Sequence, residues 1–134
     1  MNFSPVARNV LYKGGTIDKA EEFNYVIWQK GVRTILSFLD PEKDKEKEFL
    51  KKELKLIGSH NQKYPDHKIT FDVLPLWSST LRTETSKIKK MLIERIKSLP
   101  KPVYMHCLAG EHCAKDMAEL FREAAREGKI NLKI

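Results

Sequence analysis

The 134-residue chain has no apolar run approaching the roughly 20 residues that a bilayer-spanning helix requires. Its opening Met1-Asn2-Phe3-Ser4-Pro5-Val6-Ala7-Arg8 lacks the apolar core of a secretory signal. Cysteine is scarce. Two residues, Cys107 and Cys113, do not make a disulfide scaffold in a chain of this size, so a reducing, cytoplasmic setting is expected. No internal repeat, linker or low-complexity tract interrupts the chain, which argues against a solenoid or a disordered tether. His106, Cys107, His112 and Cys113 crowd into one stretch, but their spacing matches none of the usual zinc patterns. No metal and no other cofactor is expected.

What is present is ordinary for a globular protein: 41% hydrophobic and 32% charged residues, enough for one domain over residues 1–134 with a real core. A net charge of +7 suits an anionic ligand. A Lys-rich surface without a localised patch also serves plain solubility. The group Lys87, Lys89, Lys90, Arg95, Lys97 and Lys101 marks a solvated helix face.

Hydrophobic periodicity alternates strand and helix. Val10-Leu11-Tyr12 is a short strand running into a Lys13-Gly14-Gly15 turn. Asp18 with Glu21 forms a capping-box variant, Phe23, Val26 and Ile27 give an apolar stripe, and Gly31 is the helix stop in the left-handed position. Thr34 to Leu39 is nearly continuously apolar, as expected of a strand buried on both faces of a parallel sheet. Asp40-Pro41 supplies an N-cap and a first helical residue. The segment Glu42 to Lys55 is then a solvated face, with Phe49, Leu50, Leu54 and Ile57 buried and Gly58 as the stop. Residues 68–74 alternate as a third strand. Thr83 to Ser98 is helical, with Ile88, Met91, Leu92, Ile96 and Leu99 on one face. A last helix runs from Ala114 to Glu127 with Met117, Leu120, Phe121 and Ala124 inward and Gly128 as stop. The implied architecture is α/β, a mostly parallel central sheet flanked by helices.

One stretch carries chemistry. Pro102-Val103-Tyr104-Met105-His106-Cys107 is a strand ending in a thiol, followed by a loop with one Gly and then a helix. Strand, tight loop and helix N-terminus together build an anion site, where backbone N–H groups and the positive end of the helix dipole converge. A Cys at the mouth of such a loop is a nucleophile candidate. The plainer alternative is a small buried hydrophobe. Side chains alternate along a strand, so His106 is expected to point away from Cys107.

His106-Cys107-x-x-Gly110, after a strand and before a helix, resembles the phosphate-binding loop of the cysteine-based protein tyrosine phosphatases, the dual-specificity type above all. The segment Asn9-Val10-Leu11-Tyr12-Lys13-Gly14-Gly15, with Gly31-Val32-Arg33-Thr34-Ile35-Leu36 further on, resembles the opening of small bacterial and atypical dual-specificity-like phosphatases. The resemblance covers roughly residues 8 to 128 and implies a cysteine-phosphatase-like fold. It assigns Cys107 as nucleophile, His106 as support for the thiolate, and Leu108, Ala109, Gly110, Glu111, His112 and Cys113 as the phosphate-binding loop. It implies as ligand a phosphorylated protein, a phosphoinositide or another phosphomonoester. Nucleic acid is not expected as a partner, although RNA 5′-phosphates are substrates in the wider family.

Three departures fall on the chemistry. The resemblance places an Arg at position 113, a Ser or Thr at 114, and an Asp within 75–82. The chain has Cys113, Ala114 and no Asp there. Losing a charge-assisted donor to the phosphoryl oxygens costs on the order of 10²-fold in rate, and losing a general acid roughly a further 10²–10⁴-fold. Arg82 is the candidate substitute cation and Glu84 a distant candidate acid; each has a bland reading as a surface charge at a helix start. Trp77 serves as pocket wall or core. Cys113 serves in packing or as a redox partner of Cys107. Three functions follow: a phosphatase-like protein with impaired catalysis that binds a phosphorylated ligand or oxyanion, an active divergent phosphomonoesterase using Cys107, or a rhodanese-like sulfurtransferase.

Overall fold

A computed structural model describes residues 3–74, 85–107 and 113–128. Five strands form one sheet: β1 (Ser4–Ala7), β2 (Leu11–Gly14), β3 (Thr34–Ser37), β4 (Thr70–Val73) and β5 (Val103–His106). Their order across the sheet is β1-β2-β5-β3-β4. β2, β5, β3 and β4 are mutually parallel, and β1 adds antiparallel at the edge. The mostly parallel sheet expected from the sequence is therefore the sheet observed. β1 was not expected. Its Pro5 faces Tyr12 on an edge strand, where a missing N–H is tolerated.

The helices are α1 (Ala20–Asn24), α2 (Asp44–Lys63), α3 (Thr85–Ser98) and α4 (Cys113–Arg126). A π-helical turn over Tyr25–Gln29 extends α1. Each covers one face of the sheet. On one side, α3 and α4 bring Ile88, Leu92, Ile96, Met117, Phe121 and Ala124 onto Leu36, Val103 and Met105. On the other, α1 and its π-turn bring Phe23, Val26 and Ile27, and α2 brings Ile57, onto Tyr12, Ile35 and Tyr104. Each fully buried Leu, Ile or Phe of this kind contributes roughly 1.5–3 kcal/mol through removal of apolar surface from water. The inward stripes expected for α1 and α4 are the buried ones.

Gly31 and Gly128 adopt φ of +68° and +75°, the left-handed conformation expected of helix stops. Other boundaries differ from expectation. Gly58 does not end α2, which runs on to Lys63 with Gly58 on its exposed side. Asp40 does not cap that helix: its Oδ1 accepts from the Glu42 N–H at 2.9 Å, closing a turn before α2 begins at Asp44. Lys19, not Asp18, is the N-cap of α1, without a side-chain cap. The buried stripe of α2 is Leu50, Glu53, Ile57 and His60, whereas Leu54 is 55% exposed. Met91 of α3 is exposed and Ile93 takes its place inside.

Candidate active site

β5 is the central strand, and its residues alternate across the sheet. Val103 and Met105 enter the cluster under α3 and α4. Tyr104 enters the cluster under α1 and α2, and His106 stacks beside it with ring centroids 5.7 Å apart. Cys107 follows the strand, half-buried and packed against the α3–α4 cluster. His106 and Cys107 thus leave opposite faces of the sheet, as strand alternation requires.

The helix following β2 and the helix following β3 both pack on one face, while the helix following β5 packs on the other. Between β5 and its neighbours the connections therefore diverge. In open α/β sheets the region outside the carboxyl ends of the strands at such a switch point is the usual ligand site. Cys107 sits at that edge. α4, 14 residues long, begins six residues later at Cys113.

His106 is fully buried and is met by a carboxylate from α2. Its Nε2 lies 2.7 Å from Glu53 Oε2, and Glu53 is only 1% exposed. The contact is close but lacks the alignment of a hydrogen bond, and Glu53 Oε1 meets no hydrogen-bond donor among the described residues. On the other side of the ring, His106 Nδ1 lies 3.2 Å from the Cys107 carbonyl oxygen. Glu53 was hidden in the sequence within a run of Lys and Glu. The available signal was spacing: Leu50, Glu53 and Ile57 fall at i, i+3 and i+7, one face of a helix.

Tyr104 completes the buried polar layer by donating its hydroxyl to the Gly15 carbonyl at 2.5 Å. Burial first, then the charges of Glu53, Glu22 and Cys107, push its phenol well above the ordinary range, so it remains a neutral donor at working pH. Other acids near the strand ends are engaged elsewhere. Asp40 closes its turn, Glu46 Oε1 accepts from the Asp40 N–H at 3.3 Å, and Asp72 receives the Arg95 guanidinium at 2.7 and 2.9 Å. Among the described residues no three His, Cys, Asp or Glu side chains converge as a metal set. No helix among them is long and apolar enough to cross a membrane.

Arg82, Trp77, Glu84 and the loop residues Leu108, Ala109, Gly110, Glu111 and His112 lie outside the described residues. Cys113 is placed as the first residue of α4. A concavity of about 400 Å³ lies beside Phe23, Trp28, His60 and Tyr64 near the end of α2, and no thiol lines it.

No protein-family model matches the chain, and no curated protein matches it. Among solved structures it is similar to the core catalytic domain of the PP-IP phosphatase SIW14 from S. cerevisiae, determined in complex with citrate. The TM-score is 0.56 at 17% sequence identity, covering 94% of this chain and 67% of that one. What is shared at that identity is the fold: the chain has the α/β architecture of a protein-tyrosine-phosphatase-like catalytic domain.

Proposed function

We propose that this protein is a dual-specificity-type phosphatase-like protein whose Cys107 loop binds a phosphomonoester or similar oxyanion, with catalysis impaired. The observation that carries this reading is the position of Cys107, at the carboxyl end of the central strand where the helix connections diverge. The similarity to a PP-IP phosphatase and the net charge of +7 support a phosphorylated, anionic ligand. Candidates are a phosphorylated protein, a phosphoinositide or another phosphomonoester.

Impairment follows from the residues available. A phosphoryl group in transfer needs its equatorial charge neutralised and its leaving oxygen protonated. Cys113 provides no guanidinium fork, Ala114 no hydroxyl, and residues 75–82 no Asp. β5 and the 14-residue α4 flank that loop in the chain, and binding an oxyanion at a helix N-terminus needs neither the guanidinium nor the acid.

A second reading, an active phosphomonoesterase, is favoured by the Glu53–His106 pair, an expensive arrangement to retain behind an inert thiol. In that case the Cys107 thiolate attacks phosphorus, the P–O bond to the leaving group breaks, and a water then hydrolyses the cysteinyl-phosphate. Turnover of an aryl phosphate by the unaltered protein, beside Cys107→Ser, separates the readings. No Cys107-dependent turnover together with measurable phosphate binding is expected for the first. Turnover abolished by Cys107→Ser establishes the second, and absence of both binding and turnover removes both.

A further inference from the structure

We propose that Lys13 supplies the cation of this site: its ammonium group, on the thiol's side of the sheet, meets an oxygen of the oxyanion bound at Cys107. The proposal rests on the reading of Cys107 as the anion-binding position.

Placement carries it. Lys13 is the only Lys or Arg within the five strands. It stands in β2, which pairs with β1 on one side and β5 on the other. It is half-buried, whereas Leu11, Tyr12 and Gly14 of the same strand are buried. Its register partners are Ser4 and Met105. Side chains alternate along a strand, so Lys13 shares a face with Leu11, Met105 and Cys107. Those three pack in the cluster under α3 and α4. His106 leaves the other face and takes no part. With Lys13 level with Met105, strand spacing and rise put the Cα atoms of Lys13 and Cys107 about 8 Å apart. A flexible four-carbon stem carries the ammonium group across that gap. α4 packs on β2 and β5, and its first turn starts at the same end of the sheet.

The charge has no counterpart in the fold. A half-buried ammonium gives up part of its hydration, and lysines set inside a fold are ordinarily paired. Lys13 makes no ion pair and no side-chain hydrogen bond among the described residues. The acids at this end of the sheet are committed or lie outside it. Asp40 closes its turn, Asp72 holds Arg95, and Glu53 is on the His106 face. Asp116, in the first turn of α4, is exposed beside the exposed Lys115. Other cations do not take the place: Arg8, Arg33, Lys68 and Lys101 precede their strands, at the opposite end of the sheet. An oxyanion at Cys107 is the counter-charge that Lys13 lacks. As a point charge with three donors, it holds a phosphoryl oxygen without a planar fork. Such a group serves the binding of a dianion more than the neutralisation of a flattened transition state, in keeping with impaired catalysis.

The test is calorimetric titration with inorganic phosphate of the unaltered protein, Lys13→Met, Lys13→Arg, Arg82→Met and Lys97→Met. Lys97→Met removes an exposed charge from the last turn of α3. Lys13→Met is expected to weaken binding about ten- to a hundredfold, as for loss of a hydrogen bond to a charged group. Lys13→Arg is expected to restore binding to within about threefold, and Lys97→Met to change it by less than about twofold. In parallel, phosphate is expected to slow alkylation of Cys107 by iodoacetamide, the modified cysteine being located by peptide mass. Unchanged affinity in folded Lys13→Met, an equal loss in Lys97→Met, or a loss in Arg82→Met alone overturns the role of Lys13. Phosphate protection of Cys107 in those cases leaves the reading of Cys107 intact. Absence of phosphate binding, or binding that does not slow Cys107 alkylation, overturns both. If Lys13→Met does not fold, reductive methylation of the unaltered protein decides. Lys13 slowed by phosphate while Lys97 is not supports the proposal, and equal rates with and without phosphate overturn it.

Discussion

Removing one half of the Glu53–His106 pair is expected to cost far more stability than removing both halves. Glu53→Met deletes the carboxylate and leaves the buried Nε2 facing an apolar side chain; His106→Leu leaves the buried carboxyl group facing one. Breaking a sealed pair in this way costs about 3–5 kcal/mol, against a total of about 5–15 for a domain. With an unfolding entropy near 2.1 cal/mol/K per residue, a chain of 134 residues loses roughly 11–18 °C of Tm for such a change. The double variant Glu53→Met/His106→Leu replaces both groups by apolar ones of similar size. It is expected to lie within about 1–2 kcal/mol of the unaltered protein, because the desolvation of two buried polar groups disappears together with their attraction. Urea titrations of all four proteins close the cycle, with equal m-values confirming a common unfolding reaction. A double variant that loses the sum of the two single losses would refute the reasoning, because the two groups would then be acting independently.

Three further outcomes are expected. Tyr104→Phe should cost about 0.5–1.5 kcal/mol by leaving the Gly15 carbonyl without its donor. The Tyr104 phenol is raised in the folded state above its ordinary 10.0, so its contribution is complete below pH 10 and is lost as pH rises further; melting curves between pH 7 and 11 should fall less steeply above pH 10 in the Phe variant. Gly58→Ala, at an exposed helical position with nothing within 4 Å of a new Cβ, should add about 0.5–1 kcal/mol, whereas Gly31→Ala at φ +68° should cost about 1–2, both visible in thermal melts. Cys113→Arg should strengthen phosphate binding by roughly tenfold or more in calorimetry, and no change would count against a phosphate-shaped loop.

Much of the fold was legible because period and burial agree. Thr34 to Ser37 and Val103 to His106 are apolar or β-branched runs and are fully buried strands. Phe23, Val26 and Ile27, or Met117, Phe121 and Ala124, repeat with the turn of a helix and face the sheet. The failures have physical causes. Helix propensity treats Gly58 as a stop, but an exposed Gly in the middle of a 20-residue helix costs only about 1 kcal/mol, which the packing of Leu50 and Ile57 offsets. Ser4 to Ala7 contains a proline and is only partly buried, so neither composition nor period marks it as a strand. Cys107 and His106 were visible through their position after a strand. Glu53 was not read as buried, because hydropathy assigns every charge to the solvent; only its spacing with Leu50 and Ile57 on one helix face marked it.

The central place of β5 has a consequence for how the molecule forms. β1 with β2 and β3 with β4 are two paired sets, and the strand that bridges them comes last in the chain. Until residues 103–106 arrive, neither set has its inner edge covered, and both must wait through a long-range search. On a ribosome, more than a hundred residues have to emerge before the sheet closes. The closing step sets Cys107 at the strand end and brings His106 against Glu53 in the same event. Sheet closure and site assembly are therefore expected to be one process, and a pulse-labelling experiment should find protection of β5 amides and burial of His106 appearing together.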